Sequence, residues 1–344
     1  MQYVIQASEK TKAKGSEFET KALLYLMNFR DDSNEIYYFV IDFFNDLTAI
    51  DRFSQKSWDL QSKAAKVNHQ ANIGKELVTL FKNYLSGFNF DHYILFMGGI
   101  ADSIRIDNTK NIFDVNNIES KSQNKIIKAL VKESHSKVYI DNSKVNEQVA
   151  TDFLNTVVFV IDDKSKSDYI RDIVKVNPRI IPNDIVLEHI FDQIRDAQST
   201  KKNNNNVEGT IISAMDEFIY YNRHLTANEI KMMVLNRIIN NNIMQRGITH
   251  SFIPIYSKMP AAIQKDVLED CQHDIAKTLF DKNNAENFWD LFNNIYQVIT
   301  IDKNLSIEEA YRKLDHTLLS KLNFLNIMSV KYFMAVLKDG IYED

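Results

Sequence analysis

The chain has 344 residues, 44% of them hydrophobic and 25% charged, with a formal net charge of −5. That composition excludes a disordered or collagen-like chain and supplies enough apolar side chains for a sizeable core. With only 8 glycines and 4 prolines, a helix-rich fold is expected rather than a loop-rich all-β one.

From Gly15 to Phe29 the spacing of Phe18, Ala22, Leu23, Leu26 and Phe29 predicts a helix, with Ser16 as its N-cap and Glu17 and Glu19 in its first turn. Asp31 to Asn34 form a turn. The aromatic and β-branched run EIYYFVIDFF then reads as a strand, DLTAIDRF as a second and WDLQSKAA as a third. Residues 67–87 read as one helix ended by Gly87, and HYILFMGGI as a continuous apolar strand. A helix over 119–133 and two strands, KVYID and TVVFVID, complete an α/β layer whose sheet is covered on both faces.

Past Pro178 and Pro182 the character changes. IVLEHIFDQIRDAQ reads as a helix and STKKNNNN as a polar loop or linker. Segments 207–223, 226–246, 259–279, 284–299, 306–321 and 324–338 all read as helices with no fixed repeat. The expected organisation is an α/β domain over residues 1–180 and an all-α region over 181–344, the latter suited to sensing, partner binding or oligomerisation.

Cys271 is the one cysteine, so an internal disulfide framework and a cysteine-clustered zinc site are excluded. The N-terminal residues do not read as a secretory signal, and no stretch approaches the roughly 20 apolar residues of a membrane span. The expected location is the cytoplasm, with no membrane partner. The net charge gives no global bias toward nucleic acid, but residues 119–144 carry Lys121, Lys125, Lys128, Lys132, Lys137 and Lys144 against few acids, a local basic stretch.

Phosphodiester hydrolysis needs a nucleophilic water and charge neutralisation at phosphorus, both of which magnesium supplies through hard oxygen ligands. A lysine beside the metal orients the water or stabilises developing charge. Gln61 and Lys63, two apart on one strand, share a face, and Asp46 opens the strand before it. Asp51 and Asp59 compete with Asp46 for the acid role, and Glu17 with Glu19. His69–Gln70, the Gly98–Gly99 pair and RGITH at 246–250 read as structural. His189, His224, His250 and His273 show no metal-ligand spacing, and no nucleophile elbow is present.

GSEFE opening an apolar helix, then DLTAI, then DLQSK, resembles the restriction-endonuclease-like PD-(D/E)xK superfamily. More narrowly, it resembles Mrr-like nucleases and the double-stranded-DNA endonuclease domains of bacterial anti-phage effectors. The resemblance covers roughly residues 12–100 and does not reach the C-terminal helices. It implies a mixed sheet flanked by helices and a DNA endonuclease working with Mg2+ or Mn2+. It also implies that Glu19 is the helix carboxylate, Asp46 the main metal ligand, Gln61 the second ligand and Lys63 the catalytic lysine. Gln61 stands where an acid is common, so a non-catalytic binding or assembly protein with the same fold stays open. RNA stays open as a substrate too, because phosphate contacts are shared. A protein partner or a second copy of the chain would use the C-terminal helices.

Overall fold

The computed structural model describes residues 2–6, 13–174, 184–203, 206–240 and 242–342. The chain folds as two compact units: residues 1–169 with 192–227, and residues 170–191 with 228–344. The boundary expected near residue 180 lies outside the described residues.

The first unit is built on a mixed seven-stranded sheet with flanking helices. In chain order it comprises β1 (Tyr3–Val4), α1 (Ala13–Asn28), β2 (Ile36–Ile41), β3 (Leu47–Asp51), β4 (Ser57–Lys63), α2 (Gln70–Glu76), α3 (Val78–Leu85), β5 (His92–Met97), β6 (Ile112–Phe113), α4 (Ser120–His135), α5 (Glu147–Leu154) and β7 (Val157–Ile161). Next come α6 (Lys166–Val174) and α7 (Asp184–Asn203), which belong to this unit up to Tyr169 and from Asp192 respectively, then β8 (Ile211–Ile212) and β9 (His224–Thr226). The sheet order is β6-β7-β5-β4-β3-β2-β9, with β4, β5 and β7 parallel and every other pair antiparallel. β1 pairs β8 in a separate ribbon.

Strand alternation explains the two layers. On β4 the fully buried Trp58 and Leu60 face the α1 side, while Asp59, Gln61 and Lys63 face α2 and α3. α1 lies on the first face because Phe18 and Tyr25 meet Phe96 of β5, with ring centroids 5.0 and 5.5 Å apart. Trp58 is oriented by its indole N–H donating to Asp32 at 2.9 Å. On the other face α2 lies against α4 with no room to spare at Gly74, where an added Cβ would stand 2.5 Å from the Ile126 carbonyl oxygen.

Several local expectations change. α1 begins at Ala13, so Ser16 lies inside the helix rather than capping it. The helix expected over 67–87 is two, α2 and α3, joined at Leu77. KVYID is not a strand: Val138 is fully exposed and Tyr139 exposed, and only Ile140 of the run enters the core. Residues 207–223 are not a helix but hold β8 and a 3₁₀ helix over Met215–Tyr221, and β9 follows. The STKK of the polar tract continues α7 to Asn203.

The second unit is all helical: α8 (Ala227–Ile238, from Asn228), α9 (Ile253–Tyr256), α10 (Gln264–Phe280), α11 (Ala285–Ile301), α12 (Ile307–Arg312), α13 (His316–Leu319) and α14 (Ile327–Tyr342). The buried α14 is its centre, with Phe333 stacked on Phe288 of α11 at 5.5 Å. Cys271 is buried on α10, which pushes its thiol up to about 11. Among the described residues no helix is long and apolar enough to cross a membrane.

Gly74→Ala tests the α2–α4 contact. The helix gains about 1 kcal/mol of propensity, but overpacking against backbone costs up to about 3 kcal/mol. A net loss of about 1–2 kcal/mol in thermal or urea unfolding is expected, whereas Gly247→Ala, which meets nothing within 4 Å, stays within about 0.5 kcal/mol of wild type.

Candidate active site

The strand directions collect several polar segments at one edge of the sheet. β2 runs parallel to β4, so the carboxyl ends of β2, β4, β5 and β7 and the amino ends of β3 and β9 share that edge. Asp42 follows β2, Asp46 precedes β3, Gln61 and Lys63 end β4, Asp162 follows β7 and Arg223 precedes β9.

Asp46 is fixed where β3 and β4 part. The last paired residues are Leu47 and Leu60. Beyond them the Ser62 N–H donates not to a backbone carbonyl of β3 but to the Asp46 carboxylate at 3.0 Å, and the Ser62 hydroxyl donates to the same oxygen at 3.0 Å. The Gln61 amide nitrogen adds a third donor at 2.8 Å. Burial raises the Asp46 pKa; the Ser62 hydrogen bonds oppose that rise and the neighbouring Asp42 adds to it.

The turn from β2 to β3 is closed by the Asp42 N–H donating to the Asp46 carbonyl at 3.0 Å. Asp42 sits in the left-handed region with φ 51°, which aspartate tolerates better than most residues. Arg223 holds it there by donating to the Asp42 carbonyl at 2.6 Å and placing its guanidinium 3.6 Å from the carboxylate.

Glu19 reaches the same edge from α1. Burial raises its pKa to about 7; Lys202 opposes the rise, and Asp46 and Asp42 add to it. The Lys202 ammonium stands 3.7 Å from Glu19 and 3.7 Å from Asp42, with its side chain 15% exposed. α1 is pinned nearby by Lys21, which donates to Asp162 at 2.7 Å and to the Lys164 carbonyl at 2.6 Å.

Gln61 and Lys63 share a face, as their spacing requires, but their partners differ. The Gln61 amide oxygen accepts from the Thr79 hydroxyl at 2.7 Å, so it is the nitrogen that faces Asp46. Lys63 is ion-paired with Glu76 of α2 at 2.9 Å and is 44% exposed. The structure thus brings Asp46 and Gln61 into contact, places Glu19 near enough to Asp46 for their charges to interact, and leaves Lys63 two positions along β4 on Glu76.

The competing acids separate cleanly. Glu17 turns to Lys166 at 2.9 Å. Asp51 caps its own turn, accepting from the backbone of Phe53, Gln55 and Lys56. Asp59 is fully buried and accepts from Asn83 at 2.7 Å and Thr48 at 3.2 Å; burial pushes it up to about 7 and Lys82 down to about 8.

Comparison of the chain with protein-family models, curated proteins and solved structures finds no match. The site must therefore be read from its own chemistry. Sequence reading leaves out Asp42, Ser62, Glu76, Thr79, Lys202 and Arg223. Asp42 has a weak signal, as an acid at a strand end four residues before Asp46. Lys202 and Arg223 have none, because they lie more than 140 positions from the acids they meet.

Lys202→Met keeps the length of the side chain and removes its charge. Glu19 and Asp42 then lose a partly buried counter-cation, and a stability loss on the order of 2 kcal/mol in urea unfolding is expected. Lys202→Arg restores most of it.

Proposed function

We propose that this edge of the sheet is a metal-dependent phosphodiesterase site acting on DNA. The observation that carries the reading is the 2.8 Å contact of Gln61 with Asp46, which joins two strands at the point where they part, with Lys63 two positions further on the same face. The order of elements supports it as well: a helix bearing Glu19, an aspartate opening the second strand of the meander, and glutamine and lysine two apart on the third.

The donor set suits a hard cation. Glu19, Asp42 and Asp46 offer carboxylate oxygens, and the buried Asp42 Oδ2 has no hydrogen-bond partner, only the two ion pairs. Among the described residues no three acids or imidazoles are already arranged as a cage, since Lys202 stands between Glu19 and Asp42. Asp46 and Glu19 would hold magnesium or manganese. Gln61 would join them by turning its amide over, which the Thr79 hydroxyl permits because it can accept as readily as donate.

A bound magnesium ion would supply water activation and neutralisation of phosphoryl charge. The rest falls to the chain. Ser62 keeps Asp46 oriented through its two donors. Lys63 would leave Glu76 to donate to a phosphoryl oxygen or to the attacking water. The helical second unit is left for a trigger, a partner protein or self-association.

A specific observation favours a second reading, a nuclease-like binding or assembly protein. Two cations, Lys202 and Arg223, already balance the acids, and Gln61 brings no negative charge.

Cleavage of supercoiled plasmid by the purified full chain separates the two readings. With magnesium the wild type is expected to nick and linearise DNA, and EDTA to stop it. Asp46→Ala and Lys63→Ala are each expected to lower the rate by at least about 100-fold. Asp51→Ala, which alters only a turn, leaves it unchanged. Wild-type rates in both of the first two variants would remove the site, and no cleavage by the wild type would favour the binding protein.

A further inference from the structure

The lysines of α4 are not scattered. Lys121, Lys125, Lys128 and Lys132 recur at intervals of four, three and four residues and all four are exposed. At about 100° per residue they stay within an arc of about 60°, a single stripe along the helix. The opposite side of α4 is the buried one, with Ser122, Ile126 and Leu130 in the core and Gln70 of α2 donating to Ser122 at 3.1 Å. Among the described residues none of the four lysines is ion-paired, whereas Glu133 on the same helix is taken by Lys137 at 2.8 Å. In a chain of net charge −5, four unneutralised cations on one helical face are a local reversal of sign.

The helix that carries the stripe also lies on the same side of the sheet as Gln61 and Lys63. Gln61 and Lys63 face the α2–α3 layer, Glu76 of α2 holds Lys63, and α2 is seated on α4 at Gly74. From Lys121 to Lys132 the helix rises about 16 Å. One DNA strand carries a charge about every 3.4 Å of helix axis, so that length faces about five phosphates. Four flexible ammonium groups match a backbone of that charge density, and they offer no planar, base-reading groups.

We propose that this stripe is the surface on which the sugar-phosphate backbone of duplex DNA lies, in a sequence-independent way, an inference that rests on the nuclease reading of the sheet-edge site. The stripe supplies affinity and alignment, and the chemistry stays with the sheet edge.

The test is binding without cleavage. Anisotropy of a labelled duplex of about 30 base pairs is followed with the full chain in EDTA, from about 50 to about 200 mM salt. Replacing all four lysines by glutamine is expected to reduce the slope of log affinity against log salt by about 3–4, and to weaken binding by about 100-fold at about 0.1 M salt. A control with the same change in charge replaces Lys258, Lys303, Lys313 and Lys321, all exposed in the second unit, and is expected to keep the wild-type slope. Because the substituted side chains are exposed, the unfolding midpoint of either variant should match wild type. An unchanged slope in the α4 variant, an equal loss in the control, or no binding of duplex DNA by the wild type overturns the proposal. Tighter stripe-dependent binding of duplex RNA than of DNA would overturn the DNA assignment. Stripe-dependent binding with no cleavage by the wild type sinks the nuclease reading alone, and cleavage with undiminished binding in the α4 variant sinks the stripe alone.

Discussion

Where β3 and β4 separate, a backbone N–H of a central strand loses its ladder partner, and the Asp46 carboxylate takes the place of the missing carbonyl. A buried N–H left unpaired would cost about 1–3 kcal/mol, so the strand end and the acid are bound to one another. The rest of the site hangs from that bond. It sets the direction of Asp46, brings the Gln61 amide beside it, and requires the tight turn that puts Asp42 into the left-handed region. The acid is therefore oriented before any ligand arrives, the condition under which a polar group is most effective in catalysis or binding.

The same edge gathers three carboxyl groups in a partly buried place, which a folded chain tolerates only with compensation. Part of it is protonation, since Glu19 is raised to about 7. Part is the pair of cations from the end of α7 and the start of β9, Lys202 and Arg223. Arg223 also donates to the Lys202 carbonyl, so the two cations are tied to each other as well as to the acids. Local conflict of this kind, several acids crowded together and balanced by distant cations, is what functional sites commonly show.

The two faces of the sheet carry different duties. The α1 face is apolar and aromatic, with Trp58, Leu60 and Phe96 fully buried. The α2–α3 face carries a second polar set along β4, from Asp59 in the core to Gln61 and then to the half-buried Lys63. Exposure of these polar groups thus increases along one strand toward the edge, and α2 and α4 pack beside it. The alternation of β4 produces both faces from seven consecutive residues.

Much of this was present in the chain itself. The helix before the strands, the three-strand meander, the strand over 92–97 and the common face of Gln61 and Lys63 all follow from periodicity, which depends only on near neighbours. So does the place of Asp46 at a strand opening. The different surroundings of the acids were not legible: Lys166 pairs with Glu17, a turn holds Asp51 and the core holds Asp59, while Glu19 lies near Asp46 at the shared strand ends. β9 is too short to leave a periodic signal in the sequence, and it is a strand because β2 offers it an edge. KVYID has the composition of a strand and is not one: it pairs with no strand, and Val138 and Tyr139 stay exposed. Lys202 reads as part of a polar tract and meets Glu19 and Asp42 because α7, part of the first unit from Asp192, runs on to Asn203. The sequence by itself determined which segments can form and which side chains share a face. Only the tertiary structure decided which distant charges meet, because long-range pairing depends on how the elements pack and leaves no periodic mark along the chain.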